Sequence, residues 1–255
     1  MIPNLLRKLR KKGKGDDARE GMNFLDHLEE LRGRLIKSIV AVFVCSIPCF
    51  VFWKKIFHVL LVIPLRYTNP KPHLIFTAPA EAIMLSMKIA LVGGLIVSIP
   101  FIFYQIWAFV SPGLYGKEKK MVLPIVISSS FSFFTGITFA YFMLPFMIKV
   151  LATFGGGVIE PYFKASEYIS FMIKLGLACG LIFELPVVSW VLTRMGILSP
   201  KFLVSKLRHA IVIIAIVAAV ISPPDLASML FMSIPLLFIY GVSILVSFLA
   251  RGRTA

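Results

Sequence analysis

Only twelve acidic residues occur in this chain of 255, so each carboxylate is informative. Glu184 lies in GLIFELPVV, inside an apolar run. An acid at the centre of a membrane helix costs roughly 2.5–3.5 kcal/mol on insertion scales. Such a group faces a bundle interior, a wet cavity or a partner helix. A purely structural hydrogen bond between helices is the competing reading, and the functional one is favoured. Glu30 lies in HLEELRGR beside Arg32 and Arg34, and Glu118 lies in SPGLYGKEKK. A carboxylate matches the fork of a guanidinium, so two of them at one surface can hold an arginine each. Local pairing competes with this, Glu30 with Arg34 and Glu118 with a neighbouring lysine. Exposed pairs of that kind contribute only about 0–1 kcal/mol. On the pattern alone, local pairing is favoured.

Enzyme chemistry lacks materials. HExxH, GxSxG, P-loop and CxxC patterns are missing from the sequence. His27, His58, His73 and His209 are scattered without metal-ligand spacing. Asp16, Asp17 and Asp26 precede the first long apolar run, and Asp225 alone follows it, which leaves no intramembrane aspartyl pair. Cys45, Cys49 and Cys179 sit in apolar runs and read as small apolar residues, not as a disulfide framework. No catalytic group, metal or cofactor is expected.

The elements that position these groups follow from composition. The chain is 58% apolar and 15% charged, with mean hydropathy +0.90. That excludes an ordinary soluble fold and intrinsic disorder, and it defines an integral membrane protein. Six apolar segments run from Leu35 to Trp53, Ile83 to Val110, Met121 to Ala152, Tyr168 to Met195, Ala210 to Ser222 and Leu226 to Leu249. The fifth is short for a full span of about 20 residues. It forms a hairpin with the sixth around Ser222-Pro223-Pro224-Asp225, where the prolines stop the helix. Pro48, Pro100, Pro145, Pro186 and Pro235 are candidate kinks.

Before the first span, Asn23 is a candidate helix cap with Asp26 in the first turn. His27, Glu30 and Arg34 line one helical face, at spacings of three and four. Residues 1–22 read as a basic mobile tail, 23–250 as the membrane domain and 251–255 as a short tail. A signal peptide does not fit, because the long apolar run begins only near Leu35. The net charge of +15 reflects orientation, not nucleic-acid binding. Of the 27 Lys and Arg, 18 flank the segments on one side and six on the other. That bias puts both termini in the cytoplasm.

From HLEELRGRL (residues 27–35) onward the chain resembles the TatC family, the multispanning subunit of the twin-arginine protein translocase. The resemblance continues through FTAPAEAIMLSMKIAL, PFIFYQIWAFVSPGLYGKEKK, FAYF, FELPVV, MGILSP and SPPD, and covers residues 23 to 249. It implies an all-α fold, a concave bundle of six transmembrane helices with short fifth and sixth helices. It implies recognition of twin-arginine signal peptides on folded precursors and export driven by the protonmotive force. It implies single-span partners of the TatA and TatB types, a homo-oligomer within a hetero-complex, and the bacterial inner membrane.

Carried onto this sequence, the resemblance places Glu30 and Glu118 in the signal-peptide site, with His27, Arg32 and Lys119 beside them. That reverses the preference for local pairing. Lys119 stands where the family usually has arginine, and so loses the fork. Glu184 matches an intramembrane glutamate, with Gln105 as a second polar group on the concave face. Pro223, Pro224 and Asp225 form the partner or structural turn. Two other readings remain: a small-solute transporter, for which the midspan polar groups are thin, and a scaffold for which Glu30 and Glu118 are dispensable.

Overall fold

The computed structural model describes the backbone of residues 3–66, 73–110, 122–153, 162–222 and 225–251, and side chains from His27 onward apart from residues 61–63 and 66. Helix α1 (Pro3–Val51) is followed by α2 (Trp53–Phe57), a π-helical turn (His58–Val62) and α3 (Ile63–Arg66). Strand β1 (His73–Ile75) leads into α4 (Glu81–Val110), and α5 (Val122–Thr153) returns. Strand β2 (Tyr162–Lys164) then opens α6 (Ala165–Phe183), which passes through Glu184 into α7 (Leu185–Arg194). The described chain ends with α8 (Pro200–Ser205), α9 (Leu207–Ile221) and α10 (Leu226–Arg251).

Among the described residues, five stretches are long and apolar enough to cross a bilayer: His27–Val51, Glu81–Val110, Val122–Thr153, Ala165–Arg194 and Leu226–Arg251. Helix α9, with 15 residues, is the short one. The protein is a nearly all-helical, multi-pass membrane protein.

Three details differ from the sequence expectation: the start of α1, the length of α10 and a small sheet. Helix α1 is already helical from Pro3, so Asn23 lies within it and not at a helix start. Leu, Arg and Lys are strong helix formers and carry the helix through the basic segment. Helix α10 is not short: it runs 26 residues, because its apolar sequence continues unbroken to the terminal arginine. Of the candidate kinks, Pro48, Pro100, Pro145 and Pro235 lie inside helices, and Pro186 lies in the first turn of α7. A small parallel sheet joins β1 to β2, pairing His73 with Tyr162 and Ile75 with Lys164. Three-residue strands are too short to leave a period in the sequence.

Helix α1 packs on α4, α5 on both α4 and α6, and α7 on α10. Without a strong hydrophobic force between helices in lipid, small residues set the closest approaches. A Cβ on Gly94 would meet the Ser46 backbone nitrogen and Cα at 2.6 and 2.7 Å. One on Gly136 would meet the Cys179 carbonyl oxygen at 2.6 Å. Gly94→Val is therefore expected to splay α1 from α4 and to cost about 1–3 kcal/mol. Thermal melting of the detergent-solubilised chain checks this; an unchanged midpoint refutes the close packing.

The core lies between α4, α5, α6 and α10. Leu85, Ile89, Leu144, Ile169, Leu175, Met232 and Leu236 are buried there. Phe103, Trp107, Phe133 and Val191 form a second cluster nearer the Val110 end of α4.

Candidate functional site

The C-terminal half of α4 divides two polar centres. One is built on α1. Glu30 and Arg34 are four residues apart and face the same way, as helical spacing requires. Arg34 Nε and Nη2 donate to Glu30 Oε1 at 2.8 and 2.7 Å. Arg34 Nη1 donates across to Gln105 Oε1 on α4, at 3.2 Å. Beside them the His27 ring stacks on Phe109, with centroids 4.2 Å apart and planes within 9°. His27 Nδ1 lies 3.7 Å from Glu30 Oε2. The Glu30 side chain is 37% exposed, so the carboxylate faces outward while α4 holds its neighbours.

This cluster brings together His27, Glu30 and Gln105, and adds Arg34 and Phe109. Arg32 is exposed on the adjacent turn of α1. Gln105 is the correction: expected beside Glu184, it instead binds Arg34, because its position on α4 faces α1. Glu118 and Lys119 lie outside the described residues. Their segment leaves α4 just after Phe109, the residue stacked on His27.

The second centre is Glu184. It sits at the junction of α6 and α7 and is 6% exposed. Pro186 lies in the first turn of α7, where its missing N–H costs least. The neighbouring Phe183 carbonyl accepts from the Ser132 hydroxyl of α5. Ser129 of α5 is a neighbour of the Glu184 carboxyl, and Ser129 Oγ accepts from Trp107 Nε1 at 3.0 Å. Glu184 Oε1 has no hydrogen-bond partner among the described residues. A buried acceptor without a donor is costly.

Asp225 caps α10, its Oδ1 accepting from Ser228 N at 2.6 Å. The expected structural role follows from that bond. Pro223 and Pro224 fall outside the described residues.

Glu81 was absent from the expected site residues. It is buried at the far end of α4, about 36 Å along the helix from Gln105 at 1.5 Å per residue. Its Oε2 accepts from Thr77 N at 2.7 Å and from Thr77 Oγ1 at 3.2 Å. Its Oε1 accepts from Ser166 N at 3.1 Å. One carboxylate thus ties the starts of α4 and α6 beside the small sheet. The signal was present in TAPAE, a helix-start pattern before an apolar run. Glu81→Ala strands two backbone donors and is expected to lower the melting temperature by roughly 2–8 °C, with Glu81→Gln losing less. Equal melting of the alanine variant and the wild type refutes the clasp.

Taken together, the fold and the two centres describe a polytopic membrane protein. It presents a carboxylate–guanidinium cluster at one helix end and keeps a buried acid beside it. The comparisons specify the family. Residues 26–235 match the family described as Sec-independent protein translocase protein (TatC). The chain is 42% identical over 222 residues to the Sec-independent protein translocase protein TatC of Helicobacter pylori strain J99, covering 87% of each chain. It is 39% identical over 235 residues to the same-named protein of Aquifex aeolicus, covering 91% of this chain and 97% of that one. It superposes with a TM-score of 0.77 and 37% identity on a structure described as "Crystal Structure of Twin Arginine Translocase Receptor- TatC", covering 88% of this chain and 99% of that one. The chain belongs to the TatC family, a family of transport proteins and not of enzymes.

Proposed function

We propose that this chain is the signal-peptide receptor and core subunit of a twin-arginine translocase. It takes the paired arginines of a precursor's signal peptide on Glu30 and Glu118, with His27, Arg32 and Lys119 at the rim. The observation that carries this reading is the Glu30–Arg34 pair: the Glu30 carboxylate already accepts two guanidinium hydrogen bonds in a half-exposed position. Its geometry suits the ligand. The 18-to-six bias of basic residues supports cytoplasmic termini, with 1–22 and 251–255 as basic cytoplasmic tails and 23–250 as the membrane domain.

The likeness to the TatC family supports export driven by the protonmotive force. Its apolar outer faces and the unpartnered Glu184 oxygen support recruitment of single-span TatA- and TatB-type subunits in a hetero-complex containing several copies of this chain. The bacterial inner membrane is the address. Purified protein in nanodiscs is expected to bind an Arg-Arg signal peptide in preference to its Lys-Lys counterpart. Equal binding of the two by the folded protein overturns the receptor reading.

A further inference from the structure

From residue 185 to the C-terminus the chain carries one carboxylate side chain, Asp225, against Arg194, Lys201, Lys206, Arg208, Arg251 and Arg253. Asp225 caps the opposite end of α10. Arg194 ends α7 and lies over the Trp190 ring, its Cζ 5.4 Å from the centroid. Its Nε is buried and has no hydrogen-bond partner among the described residues. Glu184, the preceding acid in the chain, is about 15 Å back along the helix line. Thr193 shares a 2.6 Å hydrogen bond with Ser247, which fixes this turn of α7 on α10.

Trp190 also walls a cleft of 470 Å³, together with Ile125 and Ser128 of α5, Pro186 and Val187 of α7, and Val246 of α10. Leu123, Ile127 and Leu245, next in sequence to lining residues, are exposed apolar side chains. In a membrane protein such side chains face lipid. From Arg194 to Pro186 the cleft follows α7 for about 12 Å. The hydrocarbon of one leaflet is about 15 Å deep, half of the bilayer core. The cleft therefore has the direction and depth of a lipid tail whose headgroup lies at Arg194.

We propose that this cleft seats an acyl chain of an anionic phospholipid, with the lipid phosphate on the Arg194 guanidinium. Phosphate oxygens match the guanidinium fork and supply the acceptor that the surrounding helices lack. Exposed Lys201, Lys206 and Arg208, on α8 and the start of α9, add attraction at the same end. A zwitterionic lipid carries its own cation, which offsets that attraction, so the net anionic headgroup is preferred. A partner helix fits the cleft poorly. A helix about 10 Å across fills roughly 420 Å³ per turn, so the cleft takes barely one turn. A linear chain fits along its length and packs α5 against the α7–α10 pair. The site is separate from Glu30 and does not depend on the receptor reading.

The test uses the full chain in phosphatidylcholine nanodiscs. A minor fraction of the lipid is phosphatidylglycerol brominated on its acyl chains, or equally brominated phosphatidylcholine. Quenching of Trp190 fluorescence, taken as the difference from Trp190→Phe, reports the lipid in the cleft. Brominated phosphatidylglycerol is expected to occupy it about threefold to tenfold beyond its mole fraction, and brominated phosphatidylcholine in proportion. Arg194→Gln is expected to abolish the preference. Arg194→Lys keeps the charge without the fork, and is expected to reduce the preference if Arg194→Gln does not fold. Val246→Phe fills the cleft and is expected to lower quenching by both lipids.

Equal occupancy by the two lipids in the wild type overturns the proposal and leaves an acidic group of a partner helix as the counter-ion. An unchanged preference in Arg194→Gln, or in Arg194→Lys where it stands in, overturns the assignment of the phosphate to Arg194. Unchanged quenching in Val246→Phe at the wild-type melting temperature overturns the acyl seat. Displacement of phosphatidylglycerol by inorganic phosphate overturns the lipid in favour of a free anion.

Discussion

Glu30→Gln lowers affinity for an Arg-Arg signal peptide by roughly tenfold to a hundredfold, and leaves Lys-Lys binding nearly unchanged. The size follows from losing charge-assisted hydrogen bonds, of which a guanidinium makes two to a carboxylate. The selectivity follows because a lysine makes less use of the lost fork. Glutamine keeps the shape and one acceptor oxygen, so helix α1 and its contact with α4 remain. Melting of the variant checks that point. Glu118→Gln is expected to act in the same way on the second arginine. The double variant should then lose less than the product of the two single losses if both arginines engage as one unit. Isothermal titration of the four chains against both peptides decides the matter. Unchanged Arg-Arg affinity in Glu30→Gln removes this carboxylate from the site.

The frame around that site was legible from the sequence; its wiring was not. Six apolar segments stood out because lipid-facing helices must be apolar along their whole length. Glu184 stood out because a carboxylate in such a run is expensive. The break at Glu184 was hidden, since GLIFELPVV is apolar on both sides and only Pro186 hinted at it. The pairing of Arg34 with Glu30 was legible from their spacing of four, but the second partner of Arg34 was hidden for a different reason. Gln105 lies 71 residues away in sequence, and nothing local tells which helix α1 packs against. Gly94, whose missing Cβ lets α1 approach α4 closely at Ser46, gives no sign in the sequence of which helix it meets. Glu81 was passed over because a glutamate at a helix start has an ordinary local explanation. Its second bond, to Ser166, exists only once β1 and β2 bring α4 and α6 together.

Glu184 and Glu30 are expected to separate transport from recognition. Gln105 and Trp107 are two residues apart on α4, so they face about 200° apart around the helix. Gln105 leads to Arg34 and Glu30, and Trp107 leads to Ser129 and Glu184. The two acids therefore lie on opposite sides of one rigid helix, and altering one need not move the other. Glu184→Ala is expected to leave Arg-Arg peptide affinity at the wild-type value while lowering export of a folded reporter by roughly tenfold or more. The reason is the unpartnered Oε1. Among the described residues that oxygen has no donor, and under the proposed function a partner subunit supplies one. Glu184→Gln retains an acceptor oxygen at that position and is expected to export better than the alanine variant. Glu184→Leu removes the acceptor while filling the space, so it tests polarity apart from packing and should match alanine. Wild-type export by both Glu184→Ala and Glu184→Leu would show that the carboxyl serves neither transport nor assembly. Loss of peptide binding in the same variants would show instead that the two faces of α4 are coupled.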